Sequence, residues 1–166
     1  MQQQRFRDFD QAIKINSSFT QAFNDRGLAY VSKGETDRAI EDFNQAIKLN
    51  PKLALAFSAR GNSLASKAEY DKAIADLTQA LSIVTPQTPP ALVVLVYAAL
   101  GDGYHKTDQH AKAREVWADG ALKFPDDDGL KQRLESEGHA LAVIVTHALS
   151  AGRRVNTTLK GLLPIA

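Results

Sequence analysis

The sequence contains no cysteine. That excludes a disulfide framework, thiolate zinc ligation and a cysteine nucleophile, and leaves the compartment open. It also lacks an excess of either charge. Lys and Arg total 20 against 19 Asp and Glu, for a net charge of +1. Without a basic surplus, nucleic acid and anionic membrane surfaces are poor candidates for a main partner. No apolar run reaches the ~18–20 residues of a membrane span. Residues 140–145 and every other apolar run are far shorter. The first residues, three glutamines and then Arg5, show no apolar signal core. There is no G-x-S-x-G, no P-loop, no G-x-G-x-x-G and no H-E-x-x-H. What is present, 44% hydrophobic and 23% charged residues, is the balance of a folded chain, not of a disordered one.

The informative feature is self-similarity. Asp8, Asp42 and Asp76 are spaced by 34 residues, as are Gln11, Gln45 and Gln79, and Ala12, Ala46 and Ala80. Ile13, Ile47 and Leu81 keep the same step, Phe23 recurs as Phe57, Gly27 as Gly61 and Ala39 as Ala73. Within one period the pattern predicts two helices. Phe23, Tyr30 and Val31 surround small Gly27 and Ala29 on the first. Ala39, Ile40, Phe43, Ala46 and Ile47 fall at three- and four-residue steps on the second. Gly34 lies between them as a stop, and Asp37 is placed to cap the second helix. Asn50 and Pro51 end it, because the residue before proline is pushed out of the helical region.

This unit resembles the tetratricopeptide repeat, a helix pair of the type W-x2-L-G-x2-Y, then A-x3-F, then P. The first complete unit supplies Phe23, Arg26, Gly27, Tyr30, Ala39, Phe43 and Pro51. The second supplies Phe57, Arg60, Gly61, Leu64, Ala73, Leu77 and Pro86. The third supplies Tyr97, Leu100, Gly101, Tyr104, Ala113, Trp117 and Pro125, after six extra residues in the polar loop before it. The resemblance implies an all-α, right-handed α-solenoid of antiparallel helix pairs, about 3.5 units. The expected parts are a lone second helix at 5–16, repeats at 20–51, 54–86 and 91–125, and a helical extension and tail at 126–166. Gly27, Gly61 and Gly101 are expected where two helices come closest, with Ala39, Ala73 and Ala113 at the matching tight spot. Phe43, Leu77 and Trp117 are expected to fill the space between neighbouring pairs.

Both ends depart from the pattern. Residues 5–16 match 39–50 and leave Phe6, Phe9 and Ile13 as an apolar stripe without its partner helix. A terminal repeat should present a polar outer face. At the other end, residues 126–137 read as a polar helix with Leu130 and Leu134 four apart, opened by the acidic run from Asp126 to Asp128. The segment HALAVIVTHALS that follows has little polar face. These ends suggest self-association through Phe6, Phe9, Ile13, Val143 and Ile144, so a homo-oligomer is one expectation. The half repeat equally suits a regulatory or targeting domain cut from a larger enzyme or assembly protein.

No convergent catalytic site is visible. His105 and His110 are five apart and separated by a turn, while His139 and His147 have no carboxylate between them on their shared face. Neither pair has the spacing of a metal site, and the sequence calls for no cofactor and no metal. The resemblance points instead to binding. First helices of this family line a concave face that commonly holds a peptide or a partner helix. The residues it would place there are Gln21, Asn24, Leu28 and Ser32, then Leu55, Ser58, Asn62 and Ala65, then Leu95, Ala98, Asp102 and His105. Asn24 and Asn62 can donate and accept at once, which suits a peptide backbone. The Lys, Asn and Arg clamp that grips carboxylates in some relatives is missing, because Arg26 and Arg60 hold packing positions and Asp102 adds a negative charge. The expectation is therefore a non-enzymatic protein-protein interaction scaffold for a neutral or mildly apolar protein or peptide, with no nucleic acid and no membrane span. The lack of a visible targeting segment favours the cytoplasm. A periplasmic location stays open if an upstream signal was removed.

Overall fold

A computed structural model describes residues 2–136. Among the described residues there are eight α-helices and no strand, an all-α helical-repeat fold of the solenoid class. The chain divides into two compact units, Met1–Thr88 and Pro89–Ala166. Unit 1 holds α1 (Gln2–Ile15), α2 (Thr20–Ser32), α3 (Thr36–Leu49), α4 (Ala54–Ser66) and α5 (Tyr70–Ser82). Unit 2 holds α6 (Pro90–Lys106), α7 (His110–Lys123) and α8 (Asp128–Ser136). The pairs α2/α3, α4/α5 and α6/α7 are joined by short turns, which makes each an antiparallel hairpin. In unit 1, α1 packs on α2, and α3 on α4. In unit 2, α8 packs on both α6 and α7.

The three hairpins use one turn. Lys33, Lys67 and Thr107 donate to the carbonyls of Tyr30, Leu64 and Tyr104, and Glu35, Glu69 and Gln109 donate to the same three carbonyls. Closing this turn needs one residue in the left-handed region. Gly34 takes it at φ 76°, Ala68 at φ 60° and Asp108 at φ 57°. Glycine has no steric penalty there and a short polar side chain tolerates it, whereas an alanine Cβ costs about 1–2 kcal/mol. Ala68→Gly should therefore stabilise unit 1. The greater freedom of glycine in the unfolded chain takes back about 0.4–1 kcal/mol. The expected net gain is about 0.5–1 kcal/mol, readable as a denaturant midpoint that moves up with an unchanged m-value. A midpoint that falls would show that the turn holds Ala68 through its methyl group.

Packing inside each hairpin follows the glycines. A Cβ at Gly27 would lie 2.6 Å from Cε1 of Phe43, and one at Gly61 would lie 2.9 Å from Cγ of Leu77. At Gly101 it would fall within the indole of Trp117. Each large side chain thus fills the space within its own pair, against the glycine sixteen residues earlier, and not primarily the space between pairs. Phe43 also draws in neighbours: Phe6 of α1 and Ala59 of α4 pack on the cluster of Tyr30, Ala39 and Phe43. Ala39, Ala73 and Ala113 are fully buried.

One local expectation changes and two hold. Asp37 does not cap α3: the N-cap residue is Glu35, and Asp37 sits in the first turn, where its Oδ1 accepts from Lys67 at 2.6 Å. Asn50 ends α3 in an extended conformation, φ −138° and ψ 93°, as a residue before proline should. At α8 the acidic run does open the helix. Asp127 Oδ1 accepts from the backbone N–H of Leu130 at 2.9 Å, and Leu130 and Leu134 are buried.

Candidate peptide-binding face

In unit 1 the first helices are α2 and α4, which touch one another. Gln21, Leu28 and Ser32 are exposed on α2, and Leu28 shows 38% of its surface. Gln21 donates to Asp25 at 2.8 Å, and the Ser32 hydroxyl donates to the carbonyl of Leu28 at 3.0 Å. On α4, Leu55, Asn62 and Ala65 are half-buried. Two expected contact residues are not at the surface. Asn24 is 0% exposed and Ser58 is 1% exposed. They occupy the same repeat position, where the helix turns inward, so neither can meet a ligand in this conformation. Asn24 donates to Asp25 at 3.2 Å, while its Oδ1 and the Ser58 hydroxyl find no partner among the described residues. Buried polar atoms of this kind usually hold a water.

In unit 2 the corresponding helix is α6. Leu95 is 50% exposed, His105 is exposed, and Ala98 and Asp102 are half-buried. Asp102 is not a bare charge. It accepts two bonds from Arg133 of α8, at 2.7 and 3.0 Å, and this pairing raises the Arg133 pKa against the opposing effect of burial. The carbonyl of Ala98 accepts from Nε1 of Trp117 at 3.2 Å. The turn between α6 and α7 brings His105 and His110 together, with ring centroids 5.1 Å apart, although their sequence spacing argued against a shared face. Among the described residues no three His, Asp or Glu side chains converge as metal ligands.

The arginines before the glycines have a role beyond packing. Arg26 donates from Nε and Nη2 to both carboxylate oxygens of Asp42, at 2.8 and 2.6 Å, and from Nη1 to Asp10 at 2.7 Å. Arg60 repeats this with Asp76, at 2.7 and 2.6 Å, and with Asn44 at 2.6 Å. Each arginine therefore ties its own second helix to the one before it. Asp42 lifts the Arg26 pKa above its ordinary value against the opposing effect of burial, and Asp10 adds to the rise. The same guanidinium groups lie 5.6 Å from the ring centroids of Phe23 and Phe57. Sequence reasoning missed this ladder, although its signal was present: Arg26 and Asp42 recur together, one 34-residue step on, as Arg60 and Asp76.

Unit 2 replaces the ladder. Leu100 stands where Arg60 would be and Val116 where Asp76 would be. A different polar cluster appears at Tyr97, the position held by Phe23 and Phe57. Its hydroxyl donates to Asp119 at 2.7 Å, and Lys123 donates to both Tyr97 and Asp119. Burial pushes the Tyr97 pKa up, with Asp119 adding to the rise and Lys123 opposing it.

The stripe on α1 is not bare. Phe6, Phe9 and Ile13 are half-buried, and the Phe6 ring lies 4.8 Å from that of Tyr30. Ile15, at the end of the same helix, is 76% exposed. Val143 and Ile144 lie outside the described residues. Among the described residues no helix is long and apolar enough to cross a membrane.

Residues 27–67 match a family model described as TPR repeat. No curated protein matches the sequence. Several solved structures share the fold. One is the second TPR domain of human RPAP3, determined in complex with an HSP70 peptide. It is 20% identical with a TM-score of 0.63, and the match covers 70% of this chain and 92% of that one. A second is TTC0263, a thermophilic TPR protein of Thermus thermophilus, at 23% identity and TM-score 0.64, covering 80% and 70%. A third is YrrB, described as a TPR protein with an unusual peptide-binding site, at 19% identity and TM-score 0.68, covering 83% and 70%.

Proposed function

We propose that this chain, whose residues 27–67 match the TPR repeat family, is a non-enzymatic scaffold that holds a partner protein through a peptide or helix laid on the first helices of one of its units. The observation that carries this reading is the uncharged, partly apolar character of the exposed positions. Leu28 and Leu95 are open to solvent, and Gln21 and Ser32 flank Leu28 on its helix. The chemistry of the ligand follows from what is already engaged. Arg26 and Arg60 are held by Asp42 and Asp76, and the Asp102 charge is met by Arg133. None of these three arginines is free to grip a carboxylate, which favours a neutral or mildly apolar segment over an acidic tail. The RPAP3 domain with its HSP70 peptide supports peptide binding by this fold, though with a ligand of different charge. Self-association through Phe6, Phe9 and Ile13 has less support, because Phe6 is engaged by Tyr30 within unit 1.

The test is selection of peptides from a displayed library on the purified chain, followed by titration of the best binder against Leu28→Glu and Leu95→Glu. An unpaired carboxylate on an apolar contact should weaken binding at least about tenfold, or about 1.4 kcal/mol. Affinity that survives both variants would place the ligand elsewhere.

A further inference from the structure

The near-zero net charge of the chain conceals a local asymmetry in unit 1. Its repeats have two edges, one formed by the turns inside the hairpins and the other by the turns between them. The hairpin turns carry both signs of charge, paired with each other. Glu35 accepts from Lys33 and Arg38, Glu69 accepts from Lys67 and Lys72, and Asp37 accepts from Lys67. The opposite edge is made of residues 11–23, 45–57 and 79–88. These three segments contain no Asp or Glu at all. Their ionisable residues are Lys14, Lys48 and Lys52, all exposed. None of the three forms an ion pair among the described residues.

Apolar side chains stand out along the same edge. Ile15 is 76% exposed, Phe19 44% and Leu49 38%. The backbone that presents them is firm and repeated. Asn16 and Asn50 each accept, through Oδ1, the N–H two residues on, at 3.0 Å, so the α1/α2 and α3/α4 connections are the same Asx turn. Lys14 and Lys48 lie in the last turns of their helices, where they also offset the negative end of the dipole. Lys52 lies beyond the helix end, and Ile15 packs on little, so helix stability does not account for the set.

We propose that this edge of unit 1 docks on an anionic phospholipid surface. Lys14, Lys48 and Lys52 face the headgroups while Ile15, Phe19 and Leu49 enter the interface between headgroups and acyl chains. Exposed lysines around exposed Phe, Ile and Leu on one edge fit a lipid surface, whereas an acidic peptide would use the lysines and leave the three apolar side chains in water. Each lysine near an anionic bilayer contributes about fivefold to the partition coefficient, roughly 100-fold for three. Apolar insertion adds to this, and the electrostatic part weakens with salt. None of these six side chains belongs to the peptide face, and the proposal does not depend on that face.

The experiment is co-sedimentation of the full chain with phosphatidylcholine vesicles, with and without phosphatidylserine, at low and high salt. Wild type should bind the phosphatidylserine vesicles selectively and release at high salt. Lys14→Gln/Lys48→Gln/Lys52→Gln should lose at least tenfold, and Ile15→Ser/Phe19→Ser should lose a comparable factor with the charges intact. The charge-matched control, Lys33→Gln/Lys67→Gln/Lys72→Gln on the opposite edge, should retain binding. Circular dichroism melts confirm that each variant is folded. Equal partition onto both vesicle types, or equal loss in the control, overturns the proposal. So does binding of poly-glutamate without vesicle binding, which would make the edge a docking face for an acidic protein.

Discussion

Gly101→Ala is expected to destabilise unit 2 by about 2 kcal/mol, even though the exchange improves helix propensity. Alanine in a helix interior is favoured over glycine by about 0.5–1 kcal/mol. The new methyl group, however, would lie inside the indole of Trp117. Relief would require that ring to move. It is 3% exposed, and its Nε1 is bonded to the Ala98 carbonyl at 3.2 Å. Forcing an extra carbon into such a place costs about 1–3 kcal/mol and at times more, so the packing penalty outweighs the propensity gain. Trp117 is the only tryptophan in the chain, so its emission reports on unit 2 directly. A melt followed by that emission should begin with a red-shifted spectrum and fall by roughly 5–10 °C. A midpoint at or above the wild-type value would mean that α6 and α7 can separate without cost, and the close approach at Gly101 would lose its structural meaning.

The glycine, alanine and large-residue positions were legible in the sequence because packing constrains them one residue at a time. Gly27 must be small and Phe43 large wherever the two helices meet, and the 34-residue step repeats both demands. The same reasoning located the end of α3 at Asn50 and the start of α8 in the acidic run. It failed where a side chain's fate depends on a partner far along the chain. Asp102 looked like an open charge because Arg133, 31 residues away on α8, could not be assigned to it. Asn24 and Ser58 looked like ligand contacts because register places them on the first helices. Register alone does not say how deeply a position sinks between neighbours. The positive φ of Ala68 was legible only through its equivalence with Gly34, one 34-residue step earlier. The histidines at 105 and 110 failed in the opposite direction: a turn can bring together residues that a helical wheel keeps apart.

Asp42→Ala should cost unit 1 about 3 kcal/mol, whereas the double exchange Arg26→Leu/Asp42→Val should restore most of it. Asp42 is 4% exposed and accepts both bonds of a bidentate pair from Arg26. Removing one partner of such a pair costs about 3–5 kcal/mol, because the other charge is left desolvated. The lower end applies here, since Arg26 keeps Asp10 at 2.7 Å and its side chain is 19% exposed. Removing both charges is a different matter. A buried pair gains little over a well-packed apolar pair of similar volume. Unit 2 already uses that solution, with Leu100, 4% exposed, in the arginine position and half-buried Val116 opposite. Denaturant unfolding of wild type, Asp42→Ala, Arg26→Leu and the double variant closes the cycle. The two single variants should lose much and the double variant little, which makes the coupling large and favourable. If the double variant loses as much as the sum of the singles, Arg26 and Asp42 act separately. The arginine would then stabilise unit 1 through Asp10 and the Phe23 ring, and the bidentate bond would be incidental to the way successive helices are tied together.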